Sequence, residues 1–347
     1  MKKIVISLLL VFTVLFAGCS CNQAPNLTFS DNWNQGSEQG IGYSETQTYA
    51  VSFNDNYASG GYSFVKSSEI TSELATYEFT NGSYTTNLSV VAKDASVPNV
   101  DSDVLKDYTL GLYKYTTEFK ITAKYSCAPD KVYDDYITTV TYFCTSNASY
   151  APIYTKTENK SSILHVNNGV ASVKESHSLT DISYQKATYT IKEYNPQTKE
   201  VTKSTDYNYS FKTAIDNNQL LFAIRNSTVP EKSALMLPTV VPTYGSLKNI
   251  QVAQYQENFS EDVTVNGSTA NMEMKCLGFV LSGSSSSCIG NGTTNTGRAQ
   301  LLFVQAKEND VLAKRSQIIR YVTPLTTYDS FNLMGALVFD LTSYTVG

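Results

Sequence analysis

The chain has 347 residues, of which 16% are charged, 12% aromatic and 41% hydrophobic, with 25 tyrosines and only two histidines. So many aromatics with so little charge exclude a disordered chain. A balance of 26 basic against 31 acidic groups, net −5, excludes a sequence-independent nucleic-acid binder, and the length suits either two domains or one extended β domain.

Lys2 and Lys3 precede an apolar run from Ile4 to Ala17, broken only by Ser7 and Thr13. That run is shorter than the ~20 residues a permanent spanning helix needs, and it suits the central region of an export signal. It ends in Leu15-Phe16-Ala17-Gly18-Cys19, which resembles the lipobox of bacterial lipoprotein precursors, with Phe16 standing where Leu is usual. The resemblance implies cleavage after Gly18 and a diacylglyceryl group on Cys19. Residues 20–347 would then lie outside the cytoplasm, anchored to the bacterial cell membrane. The expected organisation is a signal peptide over 1–18, a polar tether over 19–43 and a β-rich extracytoplasmic domain over 44–347. A subdivision near 147–152 is one option within it.

Beyond the tether, period-2 alternation dominates. Tyr113, Tyr115, Thr117, Phe119, Ile121, Ala123, Tyr125 and Cys127 form one face of a long strand, and Lys114, Thr116, Glu118, Lys120, Thr122 and Lys124 the other. One dry and one wet face is the mark of an antiparallel sheet. Val201, Lys203, Thr205, Tyr207, Tyr209 and Phe211 repeat the pattern, as do Leu337, Phe339 and Leu341. Asn81-Gly82, Asn168-Gly169 and Asn266-Gly267 read as tight hairpin turns, because Asn-Gly supplies the two positive φ angles of a type I′ turn. Asn195-Pro196-Gln197-Thr198 marks a longer hairpin. Asp216, with Gln219 three residues on, resembles a capping box opening a helix over Leu220–Arg225, in competition with a buried strand. Pro230 to Leu237 reads as a second short helix, stopped by Pro238 and Pro242. The fold expected is therefore all-β with minor α: one large curved antiparallel sheet, or half-barrel, carrying one or two short helices. Two β-sandwich domains are the alternative.

Four cysteines are disulfide candidates. Cys276 and Cys288 flank Ser282-Gly283-Ser284-Ser285-Ser286-Ser287, so a hairpin turning there places them opposite one another. For Cys127 and Cys144, a simple hairpin of the strands ending at those residues separates the sulfurs by some eight residues, roughly 27 Å. Either the chain does not run as that hairpin, or the two are not paired. Cys21 is left over.

Signals for chemistry are sparse. The sequence holds no Gly-x-Ser-x-Gly elbow, P-loop, His-Glu-x-x-His or dinucleotide fingerprint after a strand, and no metal-ligand spacing. His165 and His177 lie on strands flanking Asn168-Gly169, where either could meet an acid such as Asp181; Asp134-Asp135 and Asp101-x-Asp103 offer paired carboxylates in apparent loops. None makes a catalytic constellation, so a non-catalytic protein without metal or cofactor is expected. Tyrosine stripes suit a sugar-stacking platform, a sheet curved around an apolar ligand, or plain sheet packing.

The order of elements over residues 184–345 resembles the half-barrel fold of the lipoprotein-carrier type. The matching elements are the capped helix ending at Arg225, strands at Ile250–Gln256, Val263–Leu281, Ala299–Ala306 and Gln317–Thr323, and the closing Gly335–Leu341. That resemblance implies an envelope lipoprotein that holds an acyl ligand. Leu220, Leu221, Phe222 and Ile224 would close over a concave face lined by Tyr207, Tyr209 and Phe211. A glycan-binding surface lipoprotein and a purely structural or interaction role are the competing expectations.

Overall fold

A computed structural model describes residues 42–59, 62–92, 97, 112–144, 151–185, 188–208, 215–225, 235–241, 246–282, 288–289, 292–293, 300–306, 312, 317–328 and 332–347. Among these residues nineteen strands run in chain order: β1 (Ser44–Asn54), β2 (Asn56–Ser59), β3 (Tyr62–Val65), β4 (Tyr77–Val91), β5 (Leu112–Tyr125), β6 (Tyr133–Cys144), β7 (Pro152–Asn167), β8 (Val170–Tyr184), β9 (Thr188–Tyr194) and β10 (Val201–Asn208). Then follow β11 (Ile215–Asp216), β12 (Leu235–Val241), β13 (Ser246–Val265), β14 (Ser268–Ser282), β15 (Cys288–Ile289), β16 (Gly292–Thr293), β17 (Gln300–Ala306), β18 (Ile318–Thr326) and β19 (Leu333–Val346). Between β11 and β12, a 3-10 turn at Asn217–Gln219 leads into the helix α1 (Leu220–Arg225).

Fifteen strands form one sheet, in the order β10-β9-β8-β7-β6-β5-β4-β1-β19-β18-β17-β14-β13-β12-β11. Its pairings are antiparallel apart from β11 with β12 and a second contact of β13 with β19. In that contact Thr264 and Val265 meet Ser343 and Tyr344, so β19, β18, β17, β14 and β13 close into a ring. A second closure lies at the opposite end, where Tyr328, past β18, donates its backbone N–H to Leu164 O of β7 at 2.8 Å. The result is an all-β, barrel-like half-shell. β6 and β7, on either side of residues 145–150, pair from Tyr136–Lys160 to Phe143–Pro152 in the same sheet.

The inner face is the dry one. Tyr113, Tyr115, Thr117, Phe119, Ile121, Ala123 and Tyr125 are buried as the alternation requires. Together with Tyr49, Val51, Val263, Ile319, Leu337, Phe339 and Leu341, Phe119 and Ile121 form the main core. Leu337 to Leu341 were expected to alternate, yet Val338 is buried too. The β2–β3 hairpin lies on the outer face there, packing Tyr57 and Phe64 on Val322, Ala336 and Val338.

Three local expectations are corrected. Asn81-Gly82 does not turn the chain; β4 runs straight through it. Asn81 has φ 53, and the two residues together face Ile121 alone, between the pairs Thr80–Thr122 and Ser83–Lys120. The positive φ that suits a type I′ turn also suits a β-bulge, and sequence does not separate them. Asn168-Gly169 and Asn266-Gly267 do make the expected turns, with positive φ at all four residues. Leu235–Leu237 are strand, not helix: β12 runs through Pro238, which β11 does not reach, since its pairing begins at Thr239. Pro is tolerated on a strand near the sheet edge where no partner needs its N–H. Finally, β5 stops at Tyr125, and the free, half-buried Cys127 sits in the turn beyond it.

Candidate functional site

The helix expected at Asp216–Arg225 forms, and its cap is the one its residues specify. Gln219 Oε1 accepts from Asp216 N at 2.9 Å, and Asp216 Oδ1 accepts from Asn218 N at 2.8 Å. This reciprocal cap satisfies backbone donors that a helix start leaves open. Tyr184 on β8 donates its hydroxyl to Asp216 Oδ2. Burial pushes the Asp216 carboxyl above its ordinary range, with the Tyr184 and Asn218 hydrogen bonds acting against that rise.

α1 lies on the inner face. Phe222 is fully buried, with its ring centroid 4.8 Å from Phe143, 5.6 Å from Tyr113 and 6.2 Å from Tyr115. Leu221 is buried beside it. At the C-terminal end of α1, Arg225 makes a two-pronged ion pair with Glu45 on β1, one N–H to each carboxylate oxygen, with Nη2 at 3.2 Å from Oε2. Glu45 also accepts from Tyr43 OH and Tyr344 OH at 3.1 Å, Gln47 Nε2 at 3.3 Å and Gln317 Nε2 at 3.4 Å. Gln47 in turn donates to Gln317 Oε1 at 2.8 Å and accepts from Thr86.

Tyr344 reaches this cluster because of a bulge. Thr48 pairs with Ser343 and Tyr49 with Leu341, so the extra residue Thr342 shifts the alternation of β19 and turns Tyr344 inward. Burial alone would raise the Glu45 carboxyl; the charge of Arg225 and the converging hydrogen bonds outweigh it and hold the group below its ordinary value. Burial works against the Arg225 charge, and Glu45 more than restores it. Tyr115, just behind, is pushed up to about 12, chiefly by burial.

The rest of the inner face is banded. Thr86, Thr117, Thr139, Thr157 and Thr180 are directly opposite one another across β4, β5, β6, β7 and β8, which makes a hydroxyl row starting at Gln47. Nearer the helix, Tyr184, Tyr189 and Tyr207 form a cross-strand ladder, with centroids 6.0 and 5.2 Å apart.

Of the expected ligand residues, Leu221 and Phe222 thus sit inside the shell, and Tyr207 is half-buried on the last strand, joined to Asp216 through Tyr189 and Tyr184. The backbones of Leu220 and Ile224 are in α1; their side chains, with Tyr209 and Phe211, lie outside what the structure describes, as does Cys19. Tyr43, assigned to the tether, belongs to the fold, since it is buried against Glu45. Tyr328 is largely exposed, while the side chains of Tyr62, Tyr255, Phe259, Phe279 and Phe303 lie outside what the structure describes.

The cysteine and histidine expectations are resolved in part. β5 and β6 are the simple hairpin, with Leu112 opposite Cys144 and Ala123 opposite Tyr133, so Cys127 and Cys144 stand at opposite ends and the Cys127 thiol is free. The hairpin expected between Cys276 and Cys288 does not form. Cys276 has Glu257 and Ala306 as its two neighbours, whereas Cys288 pairs with Thr293 in a separate small sheet; both side chains lie outside the described residues. His177 meets Glu158 at 2.9 Å, not Asp181, whose Oδ2 takes the hydroxyls of Tyr194 at 2.6 Å and Tyr154 at 3.2 Å. Asp135 accepts from Ser162 N and Oγ, while Asp101 and Asp103 lie outside the described residues. Among the described residues no group of His, Cys, Asp and Glu could hold a metal ion.

Glu45, Gln47 and Gln317 were missed. The signal was present at Glu45: in Glu45-Thr46-Gln47-Thr48-Tyr49-Ala50-Val51 the acid shares its period-2 face with Tyr49 and Val51. A carboxylate on a dry face demands a buried cation.

Fold and site define a barrel-like all-β protein with a helix plugging its inner face. No protein-family model matches the chain, and no curated protein does. Among solved structures the chain is similar to the crystal structure of a β-barrel-like protein of domain of unknown function DUF1849 from Brucella abortus, with 9% identity, coverage of 89% of this chain and 99% of that one, and a TM-score of 0.48.

Proposed function

We propose that the chain is a non-catalytic envelope lipoprotein, anchored through Cys19, whose inner face takes up an amphiphile with an acyl portion in place of α1. The observation that carries this reading is the seating of Phe222: one ring fills an aromatic cup made by Tyr113, Tyr115 and Phe143. The segment that supplies it is a six-residue helix, held through its own Arg225 at one end and by the Asp216 cap ahead of the other. A short plug fixed at two points is easier to displace than a strand woven into the sheet. The threonine row near the cup gives the inner face hydroxyls that the polar portion of an amphiphile could also meet. The Gly18-Cys19 junction after a short apolar run supports the anchor. Among the described residues no helix is long and apolar enough to cross a membrane.

Two measurements test the two halves separately. Cys19→Ala should leave an unprocessed or released chain that no longer partitions into detergent; unchanged membrane retention rejects the anchor. Native mass spectrometry of that variant, purified from cells, should show a co-purifying acyl species. A ligand-free chain that also fails to take up added phospholipid rejects the binding reading.

A further inference from the structure

The sheet is open at β10: among the described residues, β9 is the one strand paired with it. An open edge presents alternating N–H and C=O groups that another strand can take up, and proteins usually guard it with a lysine, a proline or a bulge. β10 has its bulge at one end, between Val201 and Lys203, where Thr202 is the extra residue and donates to Glu193 O at 3.1 Å. From Lys203 to Asn208 the register is regular. The one lysine on this stretch is drawn back onto the neighbouring strand, with its Nζ 2.9 Å from Glu193 Oε1. The guard covers Val201 and Thr202 and leaves the next six residues unguarded.

We infer that this stretch pairs with the same stretch of a second copy, antiparallel about a two-fold axis at Thr205, and joins the two sheets into one. The sequence of the edge selects both partner and register. When a strand pairs with itself across a two-fold axis normal to the sheet, opposed residues share a face, so their numbers must sum to an even value. Centring on Lys203 or on Asp206 sets like charges against each other, which is unfavourable directly across a ladder; centring on Ser204 sets the bulged Thr202 opposite Asp206, and centring on Tyr207 runs past Asn208, where β10 ends. Centring on Thr205 opposes Ser204 with Asp206 of the second copy, a hydroxyl donor to a carboxylate, twice over. It also opposes Lys203 with Tyr207, whose ring is half-buried against Tyr189 and offers its remaining face. Each of the five positions from Lys203 to Tyr207 thus finds a compatible partner. Asp206 already accepts from Thr190 at 2.7 Å and keeps a second oxygen for Ser204. The inference is independent of the acyl-ligand reading, since Tyr207 keeps its stack on Tyr189 in either case.

Cysteine cross-linking of the full-length chain in the cells that make it tests both pairing and register. Thr205→Cys places two thiols at the axis, within the separation a disulfide spans. Mild oxidation should then double the apparent mass on a non-reducing gel. Ser204→Cys alone should stay monomeric under the same oxidation, whereas Ser204→Cys co-expressed with Asp206→Cys should cross-link. The unmodified chain controls for its own cysteines. Cross-linking equal at Ser204 and Thr205 would overturn the register. No dimer from Thr205→Cys, with a monomer mass by sedimentation of the detergent-solubilised chain, overturns the pairing.

Discussion

Replacing Glu45 with Gln probes the contact that holds α1 to the sheet. In the native protein Oε1 takes N–H groups from Arg225 and Gln47, and Oε2 takes one from Arg225, one from Gln317 and the hydroxyls of Tyr43 and Tyr344. Whichever oxygen becomes the amide nitrogen, a guanidinium N–H then faces another donor. The Arg225 charge is also left buried without a counter-charge, its side chain being 3% exposed. Breaking a buried pair in this way costs about 3–5 kcal/mol. That is a large share of the stability of a typical domain, so the urea midpoint should fall markedly while the slope stays unchanged.

The pH dependence gives a second readout. Glu45 is held below its ordinary value of 4.5, so its contribution is fully present above that pH and lost as pH falls further. Asp216 has the opposite sign: its folded value is raised, so its contribution grows as pH falls toward 3.8. Glu45→Gln should therefore flatten the loss of stability below about pH 4.5 while lowering stability at neutral pH. Glu45→Leu combined with Arg225→Met should recover most of the loss, because neither partner is then left charged and alone. A Glu45→Gln midpoint equivalent to less than about 1 kcal/mol of loss, with an unaltered acid limb, would refute the reasoning.

Phe222→Ala should cost about 3–5 kcal/mol, read from the same denaturant curves, because the ring fills a cup walled by three aromatic side chains. If the cup is the acyl site, added long-chain fatty acid should raise the thermal midpoint of this variant more than that of the native chain; equal shifts would count against it. Gly82→Ala should destabilise by about 1–3 kcal/mol, since a Cβ there meets the carbonyl of Val51 across the bulge and β1 or β4 has to move. Faster amide exchange in the β1–β4 pair would accompany the loss, and an unchanged midpoint would show that the bulge relaxes freely.

What the sequence settled by itself were the features with local causes. The buried and wet faces of β5 follow from alternation, the turns at Asn168-Gly169 and Asn266-Gly267 from backbone freedom at adjacent residues, and α1 from the Asp216–Gln219 cap. Each depends on residues a few positions apart. Asn81-Gly82 shows where that reasoning stops, because the same dihedral preference serves a turn or a bulge, and the choice fell to the strands on either side of β4. Pro238 is similar: whether it breaks an element depends on how far the neighbouring strand extends.

The buried polar cluster was decided by tertiary structure alone. Glu45 meets Gln317 and Tyr344 across 272 and 299 positions of sequence, and Arg225 across 180. Its inward carboxylate announced that a cation was needed, but which arginine or lysine would answer depended on how the sheet curves to bring α1 over β1. The same holds for the closures of the shell, where Val265 meets Tyr344 and Tyr328 meets Leu164. Strand order and curvature arise from the packing of all the inner faces together, and no window along the chain carries that sum.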